Sequence, residues 1–228
     1  MLCLDPAHYH NPRPNHGTTQ NIGKSEIKIF IDPGHGIDTI GKRSPYSMSG
    51  VKPELDFYEW SWSRKIASGV VQYLQALDYN AVLLVPEDKD IPLPERVSRI
   101  GTGKNSILVS IHSNAFGSGK TWYPNVYGWS AYTTKGKTKS DTLATYLYKR
   151  AAEIWSGPGM KLRKDTSDGD PDMEENFYIL LHAPCPAVLT ESGFYTCPEE
   201  VRYLCSSQGV SDVIGIHVLG IIDYIKSL

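Results

Sequence analysis

The chain has 228 residues, 40% apolar and 21% charged, with a net charge of -2. That length fits one domain with a sizeable core. The charge balance and the lack of any basic run give no general attraction for nucleic acid. No apolar stretch approaches the roughly 20 residues that span a bilayer.

Residues 1–24 are rich in Pro, His, Asn and Gly, show no periodicity, and read as an N-terminal extension to a domain over 25–228. The opening lacks a basic start and an apolar run, so no secretory signal is expected. His8, His10 and His16 lie close together there, without an acidic partner at a useful spacing. Four cysteines, Cys3, Cys185, Cys197 and Cys205, form no C-x-x-C pair. Free thiols are the default, with a Cys185–Cys197 or Cys197–Cys205 bridge left open.

The first strand is Ile27 to Asp32, which stops at Pro33 and presents His35 between Gly34 and Gly36. The two glycines are expected to supply backbone conformations closed to larger residues. His35 either caps a turn or stands clear as a functional group. After a polar loop a helix follows, with Asp56 as expected N-cap and Ile66, Val70, Tyr73 or Leu74, and Leu77 at helical spacing. Asn80 to Val85 reads as a second strand and Pro92 to Ile100 as a short helix. Ser106 to Ile111 is a third strand, followed at once by His112. Val126 to Thr133 is a further strand and Asp141 to Trp155 an amphipathic helix. Asp165 to Glu175 reads as a solvated acidic loop; Met173 stands where a calcium loop needs glycine. Ala187 to Thr190 is a short strand running into Glu191, and Gln208 to Ile225 is the last helix. Strands alternating with helices predict an α/β fold: a single domain with a mostly parallel twisted sheet and helices on both faces.

Three strands thus end on His35, His112 and Glu191, groups with metal or proton chemistry. In a parallel sheet such ends converge on one edge, where a crevice forms. Two neutral imidazoles need an anion to make a stable zinc site, and Glu59 is the best placed. Each has an ordinary alternative. Glu59 stands three residues after Asp56, the capping-box position. His112 can be a satisfied core histidine. Glu191 is harder to dismiss, because a carboxylate entering a buried edge is costly unless paired or functional.

Taken together, these segments resemble the zinc-dependent N-acetylmuramoyl-L-alanine amidases, which cleave peptidoglycan. The resemblance rests on Asp32-Pro33-Gly34-His35-Gly36, Glu59 opening a long helix, Val109 to Ala115 around His112, and Pro186 to Phe194 around Glu191. It covers about Ile27 to Leu228, and Arg96 resembles an arginine of the family. Ser63 departs from the family's asparagine, and Glu54 is the alternative to Glu59. The resemblance implies one zinc ion per chain on His35, Glu59 and His112, with Glu191 as general base. It implies hydrolysis of the amide between N-acetylmuramic acid and L-alanine, by a monomer acting on the bacterial wall as an endolysin or autolysin. Peptidoglycan or its muropeptides are then the partner. Arg163 would meet a stem-peptide carboxylate. Asn114 would support the site or simply form a turn. Trp129, among Trp122, Tyr123, Tyr127 and Tyr132, would either line the substrate groove or pack the core.

Overall fold

A computed structural model describes residues 25–45 and 55–228. The extension over 1–24, with its histidines and Cys3, and the alternative ligand Glu54 lie outside the described residues.

The sheet has six strands: β1 (Lys28–Pro33), β2 (Asn80–Leu83), β3 (Ser106–Asn114), β4 (Trp129–Thr133), β5 (Met173–Glu174) and β6 (Ala187–Phe194). Their spatial order is β2-β1-β3-β6-β4-β5. The first four in that order are mutually parallel, whereas β4 runs antiparallel to β6 and carries β5 parallel to itself. The helices are α1 (Glu59–Ala76), α2 (Leu93–Ile100), α3 (Lys139–Ile154), α4 (Tyr178–His182), α5 (Pro198–Cys205) and α6 (Ser207–Ser227).

Both faces of the parallel strands are covered, so these strands read as unbroken apolar runs. Alternation decides which layer each residue joins. Ile29, Ile31, Ile107, Val109 and Ile111 pack beneath α1, α3 and α6. Phe30, Leu108 and Leu189 face the other way, toward Ile100 of α2 and Ile179 and Leu180 of α4. Continuing that second alternation past the apolar residues places Asp32, Ser110, His112 and Glu191 on the α2/α4 face, at the carboxyl ends of the strands.

Several boundaries differ from the sequence expectation. Asp56 does not cap α1; it pairs with Arg43 at 2.6 Å, and the cap position is Tyr58, with no side-chain cap bond. Glu59 is therefore the first helical residue and no capping box forms. Leu74 is the buried member of its pair and Leu77 is 39% exposed. α3 begins two residues early because Thr138 and the Asp141 carboxylate form a reciprocal cap. β3 and β6 run past His112 and Glu191, so these two face each other across paired strands. Two short helices, α4 and α5, were not expected. Cys185, Cys197 and Cys205 are free thiols, which removes both bridges left open. The acidic loop is not wholly solvated: Asp172 is 1% exposed.

α6 has the length and apolarity of a membrane span, contrary to the expectation that no stretch does. Here most of it is buried in the domain, packed on α3 and α1, and it carries Asp212, His217 and Asp223.

Candidate metal centre

The centre is built on the turn after β1. His35 itself holds the left-handed backbone conformation, with φ at 64°, and neither Gly34 nor Gly36 does. The glycines are there for space. A Cβ on Gly34 would lie 2.4 Å from Cε1 of His112, and one on Gly36 would lie 2.0 Å from the backbone nitrogen of Asp90. A non-glycine residue with positive φ is strained, and such strain persists only where the surroundings hold it.

Arg96 provides that hold. Its side chain is 3% exposed. It donates to Asp32 Oδ1 at 2.7 Å, Pro33 O at 2.8 Å, Ile91 O at 2.8 Å and Asp90 Oδ1 at 2.8 Å. Two carboxylates and the turn carbonyls satisfy its planar fork of donors, which a lysine would not match. Ser63 adds a hydrogen bond from Oγ to Gly34 O at 2.8 Å, so the short hydroxyl standing in the place of the family's asparagine also holds the turn.

Glu59 enters from the first turn of α1, buried at 2% exposure. Oε1 lies 3.0 Å from His112 Nδ1 and accepts from Ser113 N at 3.2 Å; Oε2 lies 3.3 Å from His35 Nε2. The rings of His35 and His112 stand edge to face with centroids 5.1 Å apart. Burial alone would raise the Glu59 pKa, but hydrogen bonds from both histidines outweigh it and hold the carboxyl well below its ordinary range. For His112 burial pulls downward and the Glu59 contact prevails, so its pKa rises.

The tautomer of His112 follows from its neighbours. Ser110 Oγ donates to Asp32 Oδ2 at 2.6 Å, so the oxygen it turns to His112 Nε2, at 3.2 Å, is an acceptor. Nε2 therefore carries a hydrogen, and Nδ1, which hydrogen-bonds the Glu59 carboxylate here, is the nitrogen whose lone pair a metal ion would take. Outer partners of this kind fix the tautomers of ligating histidines.

Ligand atoms of His35, Glu59 and His112 all lie within 4.8 Å of one another, and the group can hold a metal ion. Glu59 Oε2 is buried 3.3 Å from His35 Nε2, where a divalent cation seated among the three side chains would answer its charge. Two imidazoles and one carboxylate form a donor set suited to zinc, with room for a further ligand.

Glu191 faces this group from β6, paired in register with His112. Its Oε2 is buried and unpartnered. Burial, helped by the charge of Glu59, pushes its pKa up to about 8 against the pull of His112 and Lys42. Two cavities meet here. One, of about 530 Å³, runs between α2 and α4 and is walled by Ile91, Leu93, Phe177 and Tyr178. The other, of about 390 Å³, is polar and lined by Ser113, Asn114, Ser118 and Tyr195. His35, Lys42, His112 and Glu191 border both.

The remaining expected residues divide. Asn114 ends β3, lines the polar cavity and accepts from Ala115 N at 2.8 Å. Trp129 does not reach the groove: it is fully buried, with its ring edge-on to Tyr148 at 4.9 Å. Arg163 lines neither cavity; its guanidinium lies over the Phe194 ring at 5.2 Å. Phe177, Tyr178 and Lys42 were missed. Tyr178 opens, and Phe177 caps, a helix too short for periodicity to reveal, and Lys42 lies in an irregular loop.

A family model described as N-acetylmuramoyl-L-alanine amidase matches residues 29–223. Among curated proteins, the N-acetylmuramoyl-L-alanine amidase AmiC of Neisseria meningitidis is 26% identical over 89% of this chain. An endolysin of Bacillus phage SPP1 is 26% identical over 87%. The chain spans only 52% and 66% of the lengths of these two relatives. Among solved structures, an N-acetylmuramoyl-L-alanine amidase from Clostridium difficile 630 aligns with a TM-score of 0.72 at 24% identity, covering 90% of this chain and 99% of its own. An amidase from Mycobacterium smegmatis aligns with a TM-score of 0.70 at 19% identity, with coverages of 90% and 99%. These last two likenesses bear on the fold, and it agrees. With the matched segment containing every residue of the centre, the chain belongs to the N-acetylmuramoyl-L-alanine amidase family.

Proposed function

We propose that this chain is a zinc-dependent hydrolase of peptidoglycan that cleaves the amide between the lactyl group of N-acetylmuramic acid and L-alanine. Its place of action is the bacterial cell wall. The observation that carries this reading is the placement of Glu191: an unpartnered carboxylate oxygen beside a His-Glu-His group, at the meeting of two cavities.

His35 Nε2, Glu59 and His112 Nδ1 would hold the zinc. When bound, zinc supplies Lewis acidity toward the scissile carbonyl and makes a nearby water acidic enough to react at neutral pH. Glu191 takes the proton from the attacking water and passes it to the departing amine of L-alanine. A carboxyl raised toward neutrality suits that double duty better than an ordinary glutamate. Ser110 and Asp32 keep the His112 lone pair turned inward, and Arg96 keeps the His35 turn in place. Asn114 lines the polar cavity as a substrate contact.

The test is digestion of purified muropeptides by the zinc-loaded chain. New L-alanine amino termini with intact glycan support the reading. Released acetate, or cut peptide cross-links without free L-alanine, would replace it with another zinc hydrolase activity. Binding without any product would make the chain a wall-binding relative.

A further inference from the structure

Two residues with a fixed positive charge border the cavities, Arg96 and Lys42. Arg96 is spent on Asp32 and Asp90. Lys42 is exposed and forms no ion pair among the described residues. Its backbone is nevertheless fixed. Lys42 O accepts from the N–H of Glu59 at 3.0 Å, and Ser44 N donates to Phe57 O at 2.9 Å. Between them Arg43 is pinned by Asp56 and Tyr58. The loop carrying Lys42 is thus zipped onto the start of α1, the same turn that delivers Glu59. Lys42 lines both cavities together with Glu191, at the junction where the scissile amide must lie, and its charge is felt there.

This matters for what the site admits. The ionised carboxylates around the junction already have partners, Asp32 and Asp90 on Arg96 and Glu59 on the two histidines, which leaves the charge of Lys42 for an incoming anion. A substrate with a carboxylate near the scissile bond can pair with that ammonium. Peptidoglycan stems carry such a group. The residue after L-alanine is a γ-linked D-glutamate, one chain step of about 3.8 Å beyond the alanine. Its α-carboxyl is free in some walls and amidated in others.

The geometry points to Lys42 as the residue that selects stems with a free D-glutamyl α-carboxylate over amidated ones. This rests on the amidase reading above. Lys42 acts by binding the carboxylate through a charge-assisted hydrogen bond, leaving the proton transfers to Glu191. An amidated stem loses the charge of that acceptor and so loses most of the benefit.

The experiment uses the full, zinc-loaded chain and two synthetic muropeptides that differ only at that α-carboxyl, acid or amide. Wild type is expected to favour the acid by about tenfold, expressed in KM. Lys42→Met should bring the ratio close to one, and Lys42→Arg should restore most of it. Equal rates on both substrates in wild type would overturn the assignment. So would a Lys42→Met loss in kcat of the same size on both, which would mark Lys42 as a partner of the developing oxyanion. If wild type cleaves neither substrate, the amidase reading fails and takes this assignment with it; equal cleavage sinks the assignment alone.

Discussion

Two of the carboxylates that burial holds near neutrality, Glu191 and Asp172, lie in different regions of the sheet. Glu191 lies in β6, between the parallel half and β4, and its pKa is about 8. Asp172 lies just before β5 on the antiparallel edge, with a pKa of about 7. The direction and the leading cause are the same. Each keeps one buried oxygen without a hydrogen-bond partner, but the neighbours differ: Glu191 has two histidines nearby and borders two open cavities. Asp172 faces Asp170 and accepts from the Thr133 hydroxyl at 2.5 Å, and it borders neither cavity. A displaced pKa marks a reactive group only when something outside the protein can reach it. By that standard Glu191 is the candidate for chemistry and Asp172 is structural.

Removing the ligands breaks the chemical side of the comparison most completely. His35→Ala and His112→Ala are each expected to lose zinc and essentially all turnover, checked by metal analysis of the purified variants. Retained zinc would strike that residue from the ligand set. Glu191→Gln is the next largest effect. It should keep its zinc and lose activity by about 10²- to 10⁴-fold, the usual range for a lost general acid or base. Wild-type turnover in that variant would leave Glu191 no better than Asp172. Ser110→Ala is smaller: it frees the His112 tautomer, and the expected cost is about 10- to 100-fold in zinc affinity, read by competition with a chelator.

The chemical region was also the legible one. A parallel strand buried on both faces is an unbroken apolar run, so its end is marked where the run meets Pro33, His112 or Glu191. The alternation that sends Phe30, Leu108 and Leu189 to one layer carries Asp32, Ser110, His112 and Glu191 to the same side. Glu59 was ambiguous because its spacing from Asp56 imitates a cap; burial against two imidazoles, which no local pattern contains, decides it. The antiparallel edge was opaque for the opposite reason. Trp129 has the composition of a groove aromatic, but Tyr148, nineteen positions on, closes over it. Asp172 looked like one of many solvated acids until Thr133 folded across it. The five-residue α4, which walls the larger cavity, is too short to show a period.

The smallest effect tests the structural side, and it should appear in stability instead of rate. Asp172 has a pKa of about 7 in the folded chain against an ordinary aspartate value of 3.8. Between those values the folded form keeps a proton that the unfolded form has released. Raising the pH through that window therefore favours unfolding, and above about 7 the penalty stays constant. Asn at this position still accepts from Thr133 through its amide oxygen and has no proton to lose. The gap in denaturant midpoint between Asp172→Asn and wild type should open from pH 4 to pH 7 and then level off, while kcat on muropeptides stays at the wild-type value. Asp170→Asn should open a similar gap, because it removes the negative charge that helps keep the Asp172 proton in place. A gap independent of pH would show that Asp172 is ionised throughout. A fall in kcat would show that the antiparallel edge reaches the chemistry after all, and the division between the two carboxylates would have to be redrawn.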